Sequence, residues 1–278
     1  MTDQKIVRHK KQWLIVMAFC SLASAVPAMA SSAVEFRGDT RQIQRPKIPI
    51  SSPGALDPIQ KGLAKFDAGD LRGAIVELNQ AILKDNTSSQ AYMYRGLVRE
   101  TMGDYINAMA DFEQNRIAPC LPMTLSEKGY CETQLSDFHA ALTDLNNSLG
   151  FDSSSQNASL AFVRRAIVKR KLHDPAGAIA DCDRSMHIVN NLDALFQQAL
   201  ALCDVQQYQS ALDKFNAVVQ AQPRFADGHF ALAQCLIAMG RPKDALPELQ
   251  RAANLYSEYH DDEGHKLAMK KIAELSSL

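Results

Sequence analysis

Three groups of side chains carry enough ionisable or metal-binding atoms to do chemistry. The segment His260-Asp261-Asp262-Glu263-Gly264-His265 puts several metal-ligand types within six residues. Such a group could support metal-assisted hydrolysis, which makes a metal-dependent enzyme the lesser alternative. Two histidines five apart do not share a helical face, however. Asp261 or Asp262 also has an ordinary use as the N-cap of a tail helix. No H-E-x-x-H, G-x-S-x-G, phosphate-binding or dinucleotide-binding glycine pattern occurs. The expectation is therefore no catalytic residue, no metal, no cofactor and no small-molecule substrate.

The second group is basic, Arg164-Arg165 and Lys169-Arg170-Lys171. On a helix Arg164 and Lys171 share a face, as do Arg165 and Lys169. Arg164 and Lys171 are candidates to meet an acidic partner segment; a solvated helix face is the plainer reading. The third group is the six cysteines. Their spacing is irregular and includes no C-x-x-C, so no disulfide framework is expected. Cys120 and Cys131 could pair in an oxidising compartment, or be two small buried hydrophobes. Cys182, Cys203 and Cys235 read as core. Cys20 follows Ala18-Phe19, which does not suit lipid attachment.

Composition narrows the class of molecule that must hold these groups. The chain has 278 residues, 46% hydrophobic and 7% aromatic, with net charge -1. A folded chain fits; a dedicated nucleic-acid binder does not, for want of excess Lys and Arg. Residues 1–30 begin with Lys5, Arg8, Lys10 and Lys11, continue in an apolar run from Trp13 and end at Pro27-Ala28-Met29-Ala30. That is the pattern of a secretory signal peptide, and the apolar part is short for a membrane span. Its removal leaves 26 Lys and Arg against 30 Asp and Glu, net -4. Retention of residues 1–30 would instead make a membrane-tethered organiser. Residues 31–54, with Pro46, Pro49 and Pro53, read as an extended or disordered linker.

The remainder repeats. Gly62-Leu63 followed by Gly69-Asp70 and Ala74 returns 34 residues later as Gly96-Leu97, Gly103-Asp104 and Ala108. A small residue recurs at Ala74, Ala108, Ala141, Ala178, Ala211 and Ala245, with steps of 34, 33, 37, 33 and 34. Each unit predicts two helices. The first ends at a residue such as Gly69, Gly103 or Gly240; the second opens at Asp70, Asp104, Asp137 or Asp174. Gly62, Gly96, Gly129, Ala166, Ala199 and Ala233 on the first helix and the alanine row on the second predict close helix approach.

This pattern resembles the tetratricopeptide repeat family over about residues 55–259. The motifs that carry it are the 34-residue period, the small residue on the first helix, the Gly103-Asp104-Tyr105-x-x-Ala108 turn and Pro223 closing a unit. Arg165 and Lys169 depart from it by standing where the fourth unit should be apolar. The resemblance implies an all-α, right-handed α-solenoid of about six helix-turn-helix units. These are expected near 55–88, 89–122, 122–155, 159–192, 192–225 and 226–259, with 260–278 as a capping helix. It implies first helices on the concave side and a protein-interaction scaffold, assembly factor or adaptor. The expected groove residues are Ile59, Leu63, Phe66, Met93, Leu97, Ser126, Tyr130, Val163, Ile167, Phe196, Leu200, Phe230 and Ile237. This mostly apolar row suits an apolar peptide or amphipathic helix; alternatively much of it packs between neighbouring first helices. Met93, Phe196 and Phe230 are expected to remain for a partner. The family's carboxylate clamp is absent, because Ile59, Leu63, Met93, Tyr94 and Glu127 occupy its places. The style of Tyr92-x-Tyr94-Arg95-Gly96-Leu97 looks bacterial, cyanobacteria included. With export, that implies the cell envelope, the periplasm or the extracellular space, or a thylakoid lumen.

Overall fold

A computed structural model describes residues 53–114 and 121–276. The expected signal segment 1–30, the linker up to residue 52 and Cys120 lie outside these. The described residues form thirteen helices and no strand. Six antiparallel pairs follow one another: α1 (Pro53–Asp67) with α2 (Leu71–Lys84), α3 (Ser89–Thr101) with α4 (Tyr105–Glu113), and α5 (Leu121–Gln134) with α6 (Phe138–Phe151). Then come α7 (Gln156–Lys171) with α8 (Pro175–Ile188), α9 (Leu192–Asp204) with α10 (Tyr208–Ala221), and α11 (Ala226–Ala238) with α12 (Pro242–Glu258). A last helix, α13 (Asp262–Ser276), packs on α12. The fold is an all-α helical solenoid.

Why each pair closes can be read at one row of contacts. A Cβ placed on Gly62, Gly96 or Gly129 would stand 2.9, 2.5 or 2.8 Å from Leu78, Phe112 or Leu145 on the second helix. Those three large side chains are fully buried. Where the first helix carries Ala166 instead, the second offers the smaller Cys182. Ala74 and its five counterparts are likewise inaccessible to solvent. The hairpin turn is equally regular. Gly69, Gly103 and Gly240 have φ of 79°, 78° and 72°, and Ser136, His173 and Gln206 take φ near 60° at the same place in the other three units. The second helix is capped as its sequence requires. Asp70, Asp137 and Asp174 accept from the backbone of Gly73, Ala140 and Gly177 at 2.9, 3.2 and 2.8 Å. Asp104 instead accepts from the Asn107 side chain at 2.9 Å.

Neighbouring pairs then share their apolar flanks. Each odd helix from α3 to α11 touches the odd helix before it, whereas each even helix packs on its flanking odd helices. The stack therefore curves toward the odd-numbered helices, which form its inner wall. At the carboxy end Leu267, Ile272 and Leu275 of α13 cover the last apolar flank, as a terminal helix of such an array must.

The close approach is testable against an internal control. Gly129→Val should destabilise the protein by about 1–3 kcal/mol, because the added atoms enter a filled site. Gly150→Ala should be neutral or stabilising by up to ~1 kcal/mol, since nothing lies within 4 Å of a Cβ there. Urea unfolding of both variants checks this; equal loss would show that the contact row does not set the packing.

Candidate functional site

The inner wall is assembled from first helices, and each contributes one face of about four turns. Along it, Ile59, Met93, Leu97, Val163, Phe196, Leu200 and Phe230 are buried. Leu63, Phe66, Tyr130, Ile167 and Ile237 are half-buried. The expectation that Met93, Phe196 and Phe230 stay open to a partner is corrected by their packing, for each is fully inaccessible. The Phe196 ring lies 5.8 Å from Phe215 and 5.1 Å from Phe225, edge-on to both. Phe230 meets Tyr256 at 6.5 Å. The Phe215 and Tyr256 contacts close the two helices of one hairpin, and Phe225, at the start of α11, joins the fifth hairpin to the sixth.

Arg164 is corrected in the same way. It is 6% exposed, and its acidic partner is internal. Nη2 donates to Glu127 Oε2 at 2.6 Å and Nη1 to Ser126 Oγ at 2.9 Å. Its guanidinium carbon stands 5.1 Å from the Tyr130 ring centre. Glu100 on α3 completes the cluster, its buried carboxyl feeling the charges of Glu127 and Arg164. Three successive units thus meet at Glu100, Glu127 and Arg164. Lys171, the other basic candidate, is exposed. Further along the wall Arg170 reaches Asp204 at 2.7 Å and Gln197 at 3.3 Å.

Arg165 and Lys169 are placed by a periodic feature of the second helix. Three residues after its small residue stand Glu77, Asp111, Asp144, Asp181, Lys214 and Glu248. In the first four units this acid receives cations from the paired first helix. Lys65 pairs with Glu77 at 2.7 Å, Arg95 and Arg99 with Asp111 at 2.6 and 2.7 Å, and Lys128 with Asp144 at 3.1 Å. Arg165 and Lys169 hold Asp181 at 2.7 and 2.8 Å. In the sixth unit His229 Nδ1 stands 2.6 Å from Glu248. The basic run in α7 is therefore divided. Arg164 and Arg170 face neighbouring first helices, Arg165 and Lys169 face α8, and Lys171 faces solvent. Sequence reading missed the acids; the Ala108-x-x-Asp111 spacing repeated in the third and fourth units was the available signal.

Burial pushes the Glu100 carboxyl well above the usual carboxylate range, and the neighbouring Glu127 charge adds to this while Arg164 opposes it. Glu100 Oε2 has no hydrogen-bond partner. A second acid, Glu132, is pushed up to about 7 by burial and by Asp144. Neither arrangement is that of an acid–base pair opening on a substrate cavity. A cavity of about 420 Å³ lies elsewhere, bounded by Ser153, Phe162, Asp183, Arg184, His187 and Ile188. At the carboxy end, the ring of His265 is used by the Ala253 carbonyl at 2.9 Å, and Asp261 accepts from Gly264 N at 3.3 Å, the N-cap role. Among the described residues no group of three or more His, Cys, Asp or Glu is placed to hold a metal ion. Cys131 and Cys182 are buried free thiols.

Residues 202–268 match a family model described as tetratricopeptide repeat. No curated protein sequence matches the chain. Among solved structures, the APC/C hetero-tetramer Cut9–Hcn1 is similar with a TM-score of 0.71 at 14% identity, over 80% of this chain and 42% of that one. PilW, a type IV pilus biogenesis factor, gives 0.68 at 16% identity over 79% of this chain and all of PilW (100%). A tetratricopeptide repeat protein from Parabacteroides merdae ATCC 43184 gives 0.61 at 18% identity, over 81% and 94% of the two chains. These likenesses are of fold. The array is a tetratricopeptide-repeat fold, and the family model's own match falls on its carboxy-terminal hairpins.

The buried acid makes a pH prediction. A carboxyl whose folded value is raised takes up a proton on folding, so its contribution is complete below the unfolded value and is lost as pH rises through the folded one. Glu100→Gln should therefore raise the Tm at pH 8 by several degrees and leave it little changed near pH 4. Thermal melting of both proteins across that range checks the sign; a variant less stable at pH 8 would mean that the charged form is the one held.

Proposed function

We propose that this chain is a protein-interaction scaffold that holds an extended or helical peptide segment along the wall of first helices. The observation that carries the reading is that wall itself, since six successive first helices touch and present half-buried Leu63, Tyr130 and Ile167 beside exposed Lys171. Hairpins that bury their own small-residue rows leave this surface as the long shared face of the molecule. The tetratricopeptide-repeat match supports an adaptor role. We propose no catalytic step.

The site of action we propose is the cell envelope, as an assembly or adaptor factor. The signal-like residues 1–30 support it, as does a likeness in fold to PilW, itself a pilus biogenesis factor. Among the described residues no helix is long and apolar enough to cross a membrane. Residues 1–30, if retained, would supply a membrane tether.

A photo-crosslinking side chain placed at Lys171, and separately at Val76, which is 53% exposed on α2, tests the wall. In cells making the full chain, adducts to one partner should form severalfold more from position 171 than from position 76. A Lys171→Glu variant should lower the yield of that partner carried through affinity purification without changing helical circular dichroism. Equal labelling from both positions, or labelling only from position 76, would move the interaction off the wall.

A further inference from the structure

The fourth hairpin departs from the period in one place. Helices α3, α9 and α11 begin seven residues before Gly96, Ala199 and Ala233, whereas α7 begins ten residues before Ala166. The added turn carries the start of α7 about 4.5 Å further out. Ser153, in the loop that leads into this overhang, bounds the cavity of about 420 Å³ together with Phe162 of α7 and Asp183, Arg184, His187 and Ile188 of α8.

Charge in this cavity is unevenly used. The other arginines of the hairpin, Arg164, Arg165 and Arg170, are each paired with an acid. Among the described residues Arg184 has neither an ion pair nor a hydrogen bond, and its guanidinium carbon stands 5.8 Å from the centre of the Phe162 ring. His187, one turn further along the same face of α8, has no hydrogen-bond partner among the described residues either. Asp183, by contrast, is committed, since it accepts from Gln198 Nε2 on α9 at 2.5 Å. Phe162 is buried and Ile188 half-buried, so the cavity has an apolar side as well as a cationic one.

We propose that this cavity is a binding site for a carboxylate carried on a short apolar group. Arg184 meets the carboxylate with two parallel N–H donors, and the His187 ring adds a further N–H. The apolar group lies against Phe162 and Ile188. A single negative charge matches the one unpaired guanidinium. A phosphate, with a charge of roughly −1.5 to −2, would bring its excess toward Asp183 with no second cation to meet it. The volume is that of a small-ligand pocket. It admits either an acidic side chain of a partner with its apolar neighbour or a small free acid. Arg184, His187 and Ser153 are all exposed, so the ligand reaches them without any opening of the fold. Arg184 and His187 stand on a second helix, and the proposal is independent of what the wall of first helices binds.

The test is a ligand-observed NMR titration of the purified full chain with two probes, hexanoate and an end-blocked tetrapeptide carrying one glutamate beside one leucine. Hexanamide and the corresponding glutamine peptide are the neutral controls. Saturable binding of an acid is expected, at least about tenfold weaker for its neutral control and for Arg184→Gln. Ser153→Trp, which fills the cavity from its exposed rim, should also lose binding, whereas Lys171→Glu on the wall should leave it unchanged. Circular dichroism of each variant separates lost binding from lost folding. Whichever acid binds more tightly assigns the site to a partner's side chain or to a free acid. The proposal is overturned if neither acid saturates, if the neutral controls bind as well, if Arg184→Gln and Ser153→Trp both bind normally, or if inorganic phosphate occupies the site more tightly than hexanoate.

Discussion

A two-helix hairpin of this kind has too little interior to be stable alone, and everything else follows from how closely its helices can approach. Gly96 over Phe112 and Gly129 over Leu145 bring two backbones together around one buried side chain. That contact fixes the pair but leaves both flanks apolar, and only the next hairpin can cover them. The array is thus cooperative by construction: the packing of Phe196 on Phe225 belongs to no unit singly.

On this packing is laid a set of charges that fix geometry within each hairpin. In the second and fourth units the acid three residues beyond the small position sits between two cations one helical turn apart on the first helix. Asp111 and Asp181 are nearly inaccessible, and each accepts from both cations. Two donors on one buried carboxylate hold the helix pair against rotation and against axial slip, which apolar contacts alone permit. Removing such an acid would strand two basic groups at a partly buried seam, which makes the ladder a matter of specificity as much as of stability.

What the sequence made legible is what recurs. The glycine and alanine rows, the aspartate caps and the left-handed turn at Gly69 or Gly103 repeat because every unit solves the same intra-hairpin problem. Contacts between units do not recur, and these were the ones misread. Arg164 looked like a surface cation because nothing in its own helix shows that Ser126 and Glu127, 38 and 37 residues earlier, stand opposite it. Phe196 and Phe230 looked available because register places them on the inner face, but Phe215 and Phe225 enclose the first ring and Tyr256 packs on the second. Ser136, His173 and Gln206 hid the hairpin turn in three units, since the backbone takes the same positive φ without the glycine that announces it.

The charged inner cluster has a consequence for how the solenoid can bend. Between the first and second units and between the fifth and sixth, first helices meet through apolar cores, where small sliding motions cost little in hydrogen bonds. Between the second, third and fourth they meet through Glu100, Glu127 and Arg164, groups whose separation would leave charge or donors without partners in a low-dielectric seam. The middle of the wall is therefore the stiff part and the ends are the compliant ones. On the proposed function, a segment lying on this wall would meet a fixed register at Tyr130 and Ile167 and adjustable contacts on either side.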